Sequence, residues 1–143
     1  MQIPSRFTIA IHMLACMEIF QGSRPITSDF MAGSINANPV IIRQILLKLK
    51  AAGLVCVKRG RNGASLARPL ASISFYDVYR AMECLDDEEL FRFHENPNPL
   101  CPVGRNIHAA LEGKLKQVQR AMENELKNIS VAEVVEKIRA ASP

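Results

Sequence analysis

The apolar positions change period along this chain, and each change marks an element. From Arg6 to Gln21, Phe7, Ile9, Ala10, Ile11, Met13, Leu14, Ala15, Met17, Ile19 and Phe20 leave almost no polar face. Ser5 stands where it can cap that helix, and a helix apolar nearly all round must be covered on two sides. The helical pair that follows supplies one cover; the long helix further on is expected to supply the other. Gly22-Ser23-Arg24-Pro25 makes the turn between them.

Thr27 can cap a short helix through Phe30, Met31, Ala32 and Ile35, because its hydroxyl accepts from an otherwise orphaned N–H. Asn36-Ala37-Asn38 is a turn, and Asn38 caps a second helix whose first position is Pro39, where a missing N–H costs nothing. Ile42, Ile45, Leu46 and Leu49 then fall at i, i+3, i+4 and i+7, one stripe toward a core, with Val40, Arg43, Gln44 and Leu47 opposite. Gly53 ends that helix. Leu54–Val57 reads as a strand and Ala64–Ala67 as its return, with Asn62-Gly63 a strong hairpin signal in the basic connection Lys58-Arg59-Gly60-Arg61. The pattern over 27–69 is a helix-turn-helix followed by a wing.

Ser74 opens a further helix through Val78, Tyr79 and Met82, with Asp77 placed for a capping box. Leu85–Gly104 loses periodicity, and Pro97, Pro99 and Pro102 exclude a continuous helix, leaving a loop with one helical turn expected around Leu90. From Pro102 to Asn128 runs the longest helix. Its apolar positions Ile107, Leu111, Leu115, Val118, Met122, Leu126 and Ile129 step by 4, 4, 3, 4, 4 and 3, an eleven-residue repeat that keeps the helix nearly straight. Glu112/Lys116 and Glu123/Lys127 are spaced for pairs on its outer face. Little else in this half can cover the stripe, so a subunit interface is expected there. Ser130 with Glu133 opens a last short helix.

Charge separates the halves. The net charge of +4 hides a front half, 1–70, at +7 and a back half, 71–143, at −3. A basic front half suits a polyanion. Arg43 and Gln44 lie in the first turns of the capped helix, where such side chains read base edges; Val40 can meet a thymine methyl, and Asn38 opens the same surface. Arg59 and Arg61 on the wing would reach phosphate or the minor groove, and Lys48, Lys50 and Lys58 are generic phosphate contacts. The expected partner is duplex DNA.

Cys16, Cys56, Cys84 and Cys101 include no CxxC pair; Cys16 and Cys56 lie inside apolar runs and read as core residues. The longest apolar stretch is too short to span a bilayer and no signal peptide is visible, so a cytoplasmic protein without membrane contact is expected. Cys101, just ahead of Pro102 with Arg105 one turn on, is the candidate sensor, because a helix N-terminus and a cation both favour a thiolate. An enzyme using Cys101 with His108 as base fails on geometry: seven residues along a helix is about 10 Å. A winged helix that binds protein instead of DNA is the remaining alternative, and it would not need the basic front half.

These residues resemble the Rrf-two family of bacterial winged-helix transcription regulators, the group of the iron–sulfur cluster regulator and the nitric-oxide-sensing repressor. The resemblance rests on Ser5-Arg6-Phe7, Ile42-Arg43-Gln44-Ile45-Leu46 before Ala52-Gly53-Leu54-Val55, the wing Arg59-Gly60 and Gly63, Leu66-Ala67-Arg68-Pro69, Asp77-Val78-Tyr79-Arg80-Ala81, and Cys101-Pro102-Val103-Gly104-Arg105-Asn106-Ile107. It implies a mainly α fold with a small β-wing and a long dimerisation helix. The expected division is 1–84 for DNA binding, 85–104 as a sensor-like loop, and 105–143 for the dimerisation and C-terminal helices. Ile107, Leu111, Leu115, Val118 and Met122 would carry the dimer interface. The function implied is a homodimeric regulator on a two-fold operator, most often a repressor. The sequence departs from the family in two places. Ala64 stands where the wing usually has a second glycine, and the loop offers Cys101 alone where cluster-binding members have three cysteines, so no iron–sulfur cofactor is expected.

Overall fold

The computed structural model describes residues 3–58, 63–84 and 89–142. Helix α1 spans Arg6–Phe20, α2 Ser28–Ile35, α3 Pro39–Ala51, α4 Phe75–Ala81, α5 Pro102–Asn128 and α6 Val131–Ala141. Strands β1 (Val55–Val57) and β2 (Ala64–Leu66) pair antiparallel, Val55 opposite Leu66 and Val57 opposite Ala64. Residues 59–62, including the wing arginines Arg59 and Arg61, lie outside the described residues, as do 85–88.

Helix α1 sits at the centre. Ala10, Met13, Leu14 and Met17 are sealed from solvent, and burying a Met or Leu side chain stabilises by about 1.5–3 kcal/mol. It packs on α2, α3, α4 and β2, and its second cover is α6 in place of the expected long helix. The reason is a short backbone pairing absent from any sequence pattern. Phe75 N–H donates to Ile129 O (2.8 Å) and Val131 N–H to Ile73 O (2.9 Å). This ties the α5–α6 junction to the start of α4, turning α6 back over α1 so that Val131 and Val135 enter the core. α5 leaves along α4 instead, and none of its residues is fully buried.

The caps differ in one place from expectation. Ser5 is already helical in backbone angle and makes no cap. Thr27 accepts from Phe30 N–H (3.0 Å) and Asn38 from Val40 N–H (2.8 Å), while Ser74 and Asp77 form their capping box. Helix α3 ends in a pair of bonds, Leu54 N–H to Leu49 O (3.0 Å) and Gly53 N–H to Lys50 O (3.0 Å), the Schellman pattern. Arg6, from the motif at the chain start, donates to Met82 O and Glu83 O at 2.7 Å each, satisfying the end of α4. Among the described residues from 89 on no helical turn forms at Leu90, whose N–H goes to Gln119 Oε1 (3.0 Å). Cys56 is exposed rather than core, because β1 has one buried residue, Val55, and turns Cys56 outward.

Candidate nucleic-acid interface

Helix α3 is the second helix of the helix-turn-helix. Ile42, Ile45, Leu46 and Leu49 are buried, which fixes its rotation and leaves Val40, Arg43, Gln44 and Leu47 outward. Leu47 is 66% exposed and Val40 52%. Exposed Leu and Val on this face are groups able to meet thymine methyls. Leu47 stands beside the site residues expected from the sequence: its place between Gln44 and the α3 end puts it on the same free face. Asn38 spends its side-chain oxygen on the cap, so only its amide donors remain for a partner.

Arg43 approaches Asp29 of α2 at 3.7 Å across the turn, both side chains well exposed. Such an exposed pair contributes about 0.2–1 kcal/mol, less than the about 1–3 kcal/mol by which a bidentate guanine contact discriminates, so the Asp29 pair does not hold Arg43 away from a base edge. Lys48 lies one helical turn beyond Gln44, at the edge of this face. It flanks the α4 side, where Nζ meets Glu83 Oε2 at 3.1 Å.

The base of the wing is fixed by a contact the sequence did not announce. Gly63 forms a parallel bridge with Ile26, and Ala64 N–H donates to Ile26 O (2.9 Å). Gly63 has φ +64°, and a Cβ there would lie 2.3 Å from Ile26 O. Only glycine fits. Gly63 of the expected hairpin therefore meets a packing need, and a single bridge ties the segment before α2 to the two-stranded wing sheet; Asn62 lies outside the described residues.

Cys101 is the N-cap residue of α5 and is partly exposed. Backbone N–H groups of Gly104 and Val103 lower its thiol below the ordinary range; Arg105, the expected cation, is not among the causes. Gly104 admits this geometry, since a Cβ would meet Asn98 O at 2.5 Å. Cys84 is buried, and burial pushes its thiol up. Cys16 is buried in α1 and Cys56 lies exposed on β1. Among the described residues no group of three or more His, Cys, Asp or Glu could hold a metal ion.

Along α5, the expected stripe divides. Met122 and Leu126 pack on the core of their own chain, Leu115 lines a groove of about 420 Å³ against Tyr76, Phe91 and Phe93, and Val118 stands 52% exposed. Ile107 and Leu111 are half-buried, Val103 is 69% exposed, and Lys116 pairs with Glu112 at 3.0 Å. The second expected pair does not form: Lys127 sits 4.6 Å above the Tyr76 ring, and Glu123 accepts from Gln119.

A helix-turn-helix with a presented second helix, a two-stranded wing bridged to the segment before α2, and a long helix α5 define a winged-helix architecture. The Rrf2 family model, described as an iron-dependent transcriptional regulator, matches residues 3–137. Bacillus subtilis (strain 168) YwnA, an HTH-type transcriptional regulator by name, is 44% identical over 133 residues, covering 93% of this chain and 96% of that protein. A crystal structure titled as a DNA-binding protein shares 38% identity with a TM-score of 0.71, covering 91% of this chain and 98% of the other. The global cysteine regulator CymR of B. subtilis has the same fold, at TM-score 0.70 and 18% identity over 95% of this chain and 97% of its own. The chain belongs to the Rrf2 family of transcriptional regulators.

Proposed function

We propose that the protein is a cytoplasmic homodimeric repressor that presents α3 to the major groove and the wing to the adjoining backbone or minor groove of a two-fold operator. The observation that carries this reading is the outward face of α3, where Arg43 and Gln44 stand among exposed Val40 and Leu47. Asn38, Val40, Arg43 and Gln44 read bases; Arg59 and Arg61 meet phosphate or a narrow minor groove. Dimerisation runs through α5, along Ile107, Leu111, Leu115 and Val118, with Met122 shared between that stripe and its own core. The signal acts at or near Cys101, and the protein works without an iron–sulfur cluster. Iron and sulfide in matching amounts after anaerobic purification would overturn that last point.

The test is affinity on an operator selected from genomic fragments and on scrambled duplex, across several salt concentrations. Arg43→Ala loses roughly 1–3 kcal/mol on the operator and little on scrambled duplex. Arg59→Ala weakens both alike and lowers the salt slope by about one per subunit. Equal losses on both duplexes for both variants would make Arg43 a phosphate contact. Absence of salt-dependent binding to any duplex would leave a protein-interaction module.

A further inference from the structure

Beside the wing lies a hollow of about 460 Å³ between the 22–25 turn and the base of the hairpin, lined among others by Arg24, Lys58 and Ser65. We infer that this hollow seats a phosphodiester group of the bound duplex, so that the α1–α2 turn and the wing grip the DNA backbone together. The inference deepens the DNA-binding reading above and rests on it.

Two cations line the hollow, and among the described residues no carboxylate does. Among the described residues neither Arg24 nor Lys58 is ion-paired, unlike Arg43, Lys48, Arg68 and Lys116. Arg24 is exposed but held. Its guanidinium carbon lies 3.9 Å over the Phe30 ring, and Phe30 meets Phe20 edge-on at 5.1 Å, so the cation rests on an aromatic bracket spanning α1 and α2. A guanidinium held by its face keeps its N–H donors for another partner. The Ser23 hydroxyl donates to Phe20 O at 2.9 Å, so among the described residues the side-chain donors left to the hollow are Arg24, Lys58 and Ser65.

Both walls are fixed before any ligand arrives. Gly63 and Ile26 are bridged, and Lys58 N–H donates to Gly63 O (3.2 Å), which sets the Lys58 backbone against the turn. Because Ile26 runs parallel to Gly63 and β1 antiparallel to β2, the chain before Ile26 leaves the sheet at the end where Lys58 stands. An anion with no proton to donate matches donors only, and of the anions available a backbone phosphate arrives wherever the wing docks.

The experiment uses the full chain and measures binding to selected and scrambled duplex over a range of NaCl concentrations. Each of Arg24→Gln and Lys58→Gln is expected to lower the slope of log affinity against log salt by about 0.9 per subunit, a loss of roughly eightfold per subunit near 0.1 M salt, equally on both duplexes. Arg24→Lys keeps the slope. Should Arg24→Gln melt early through loss of the Phe30 contact, Lys58→Gln, which touches no ring, decides in its place. An unchanged slope in the Gln variants while wild type binds overturns this site alone. So does an unchanged slope accompanied by thermal stabilisation of wild type, but not of the variants, by inorganic phosphate, which would make the hollow a free-anion site. Failure of wild type to bind any duplex overturns the DNA-binding reading and this site with it.

Discussion

Gly63→Ala is the sharpest probe of the wing's foundation. The new Cβ would stand 2.3 Å from Ile26 O and 2.6 Å from Ile26 C, both backbone atoms that no rotamer change can clear. The residue must also keep φ +64°, a left-handed conformation that costs a side-chain-bearing residue about 1–3 kcal/mol. Relieving the clash parts the Gly63–Ile26 bridge and with it the Ala64 N–H to Ile26 O bond of 2.9 Å, worth about 1 kcal/mol net. The total is roughly 2–4 kcal/mol. For a chain of this size each kcal/mol moves the midpoint by about 2–4 °C, so thermal unfolding followed by circular dichroism at fixed protein concentration should fall by roughly 5–15 °C. Gly113→Ala is the matched control. Its Cβ would meet nothing within 4 Å in the middle of α5, and alanine there gains about 0.8–1 kcal/mol of helix propensity. A Gly63→Ala midpoint within about 2 °C of wild type, or one raised together with that of Gly113→Ala, would refute the bracing argument.

Replacing both Leu115 and Val118 with Glu should split the dimer in light scattering and lower operator affinity with it, because unpaired charge would be buried in the interface; a double variant that stays dimeric refutes the assignment. Cys101 should alkylate with a midpoint below the ordinary thiol value of about 8.5, since the Gly104 and Val103 amides favour its thiolate and the thiolate fraction therefore rises at lower pH. Subtracting the rate of Cys101→Ser isolates that thiol, and a midpoint at or above the ordinary value refutes the amide argument. If wild type and Cys101→Ser both bind the operator identically with and without oxidant, the thiol is structural.

What could be read from the sequence was whatever rests on neighbours in the chain. Thr27, Asn38 and Ser74 announce their helices because each cap bonds an N–H two or three residues away. The α3 stripe is legible because 3.6-residue periodicity and burial coincide. Contacts between distant segments were not legible. Nothing local in Ile26 or Gly63 says that they pair, and nothing in Ile73–Phe75 says that it meets Ile129–Val131. Those two pairings brace the wing and send α6, not α5, over α1. Cys56 misled for a related reason: an apolar run of three residues on a two-stranded sheet has a solvent side, and only the packing says which residue takes it.

The same long-range contacts make a continuous path from the long helix to the reading helix. The end of α5 is bonded to the start of α4, Arg6 holds the carbonyls at the end of α4, and Glu83 just beyond reaches Lys48 of α3 at 3.1 Å. Continuity is not coupling, which requires that both ends bias one equilibrium. Lys48 offers the place to ask, because its two roles make opposite predictions. If it serves to hold α3 against α4, Lys48→Ala and Glu83→Ala should weaken operator binding by similar small amounts. An exposed pair of this kind contributes about 0.2–1 kcal/mol, less than about sixfold, and the double variant should lose no more than either single one. If Lys48 is instead a phosphate contact that Glu83 merely borrows, Lys48→Ala should lower the salt slope by about 0.9 per subunit, and Glu83→Ala should tighten binding by releasing the lysine. The 3.1 Å contact with Glu83 supports the first, although Lys48 also lies one helical turn beyond Gln44. A Glu83→Ala variant that binds duplex more tightly than wild type would refute it.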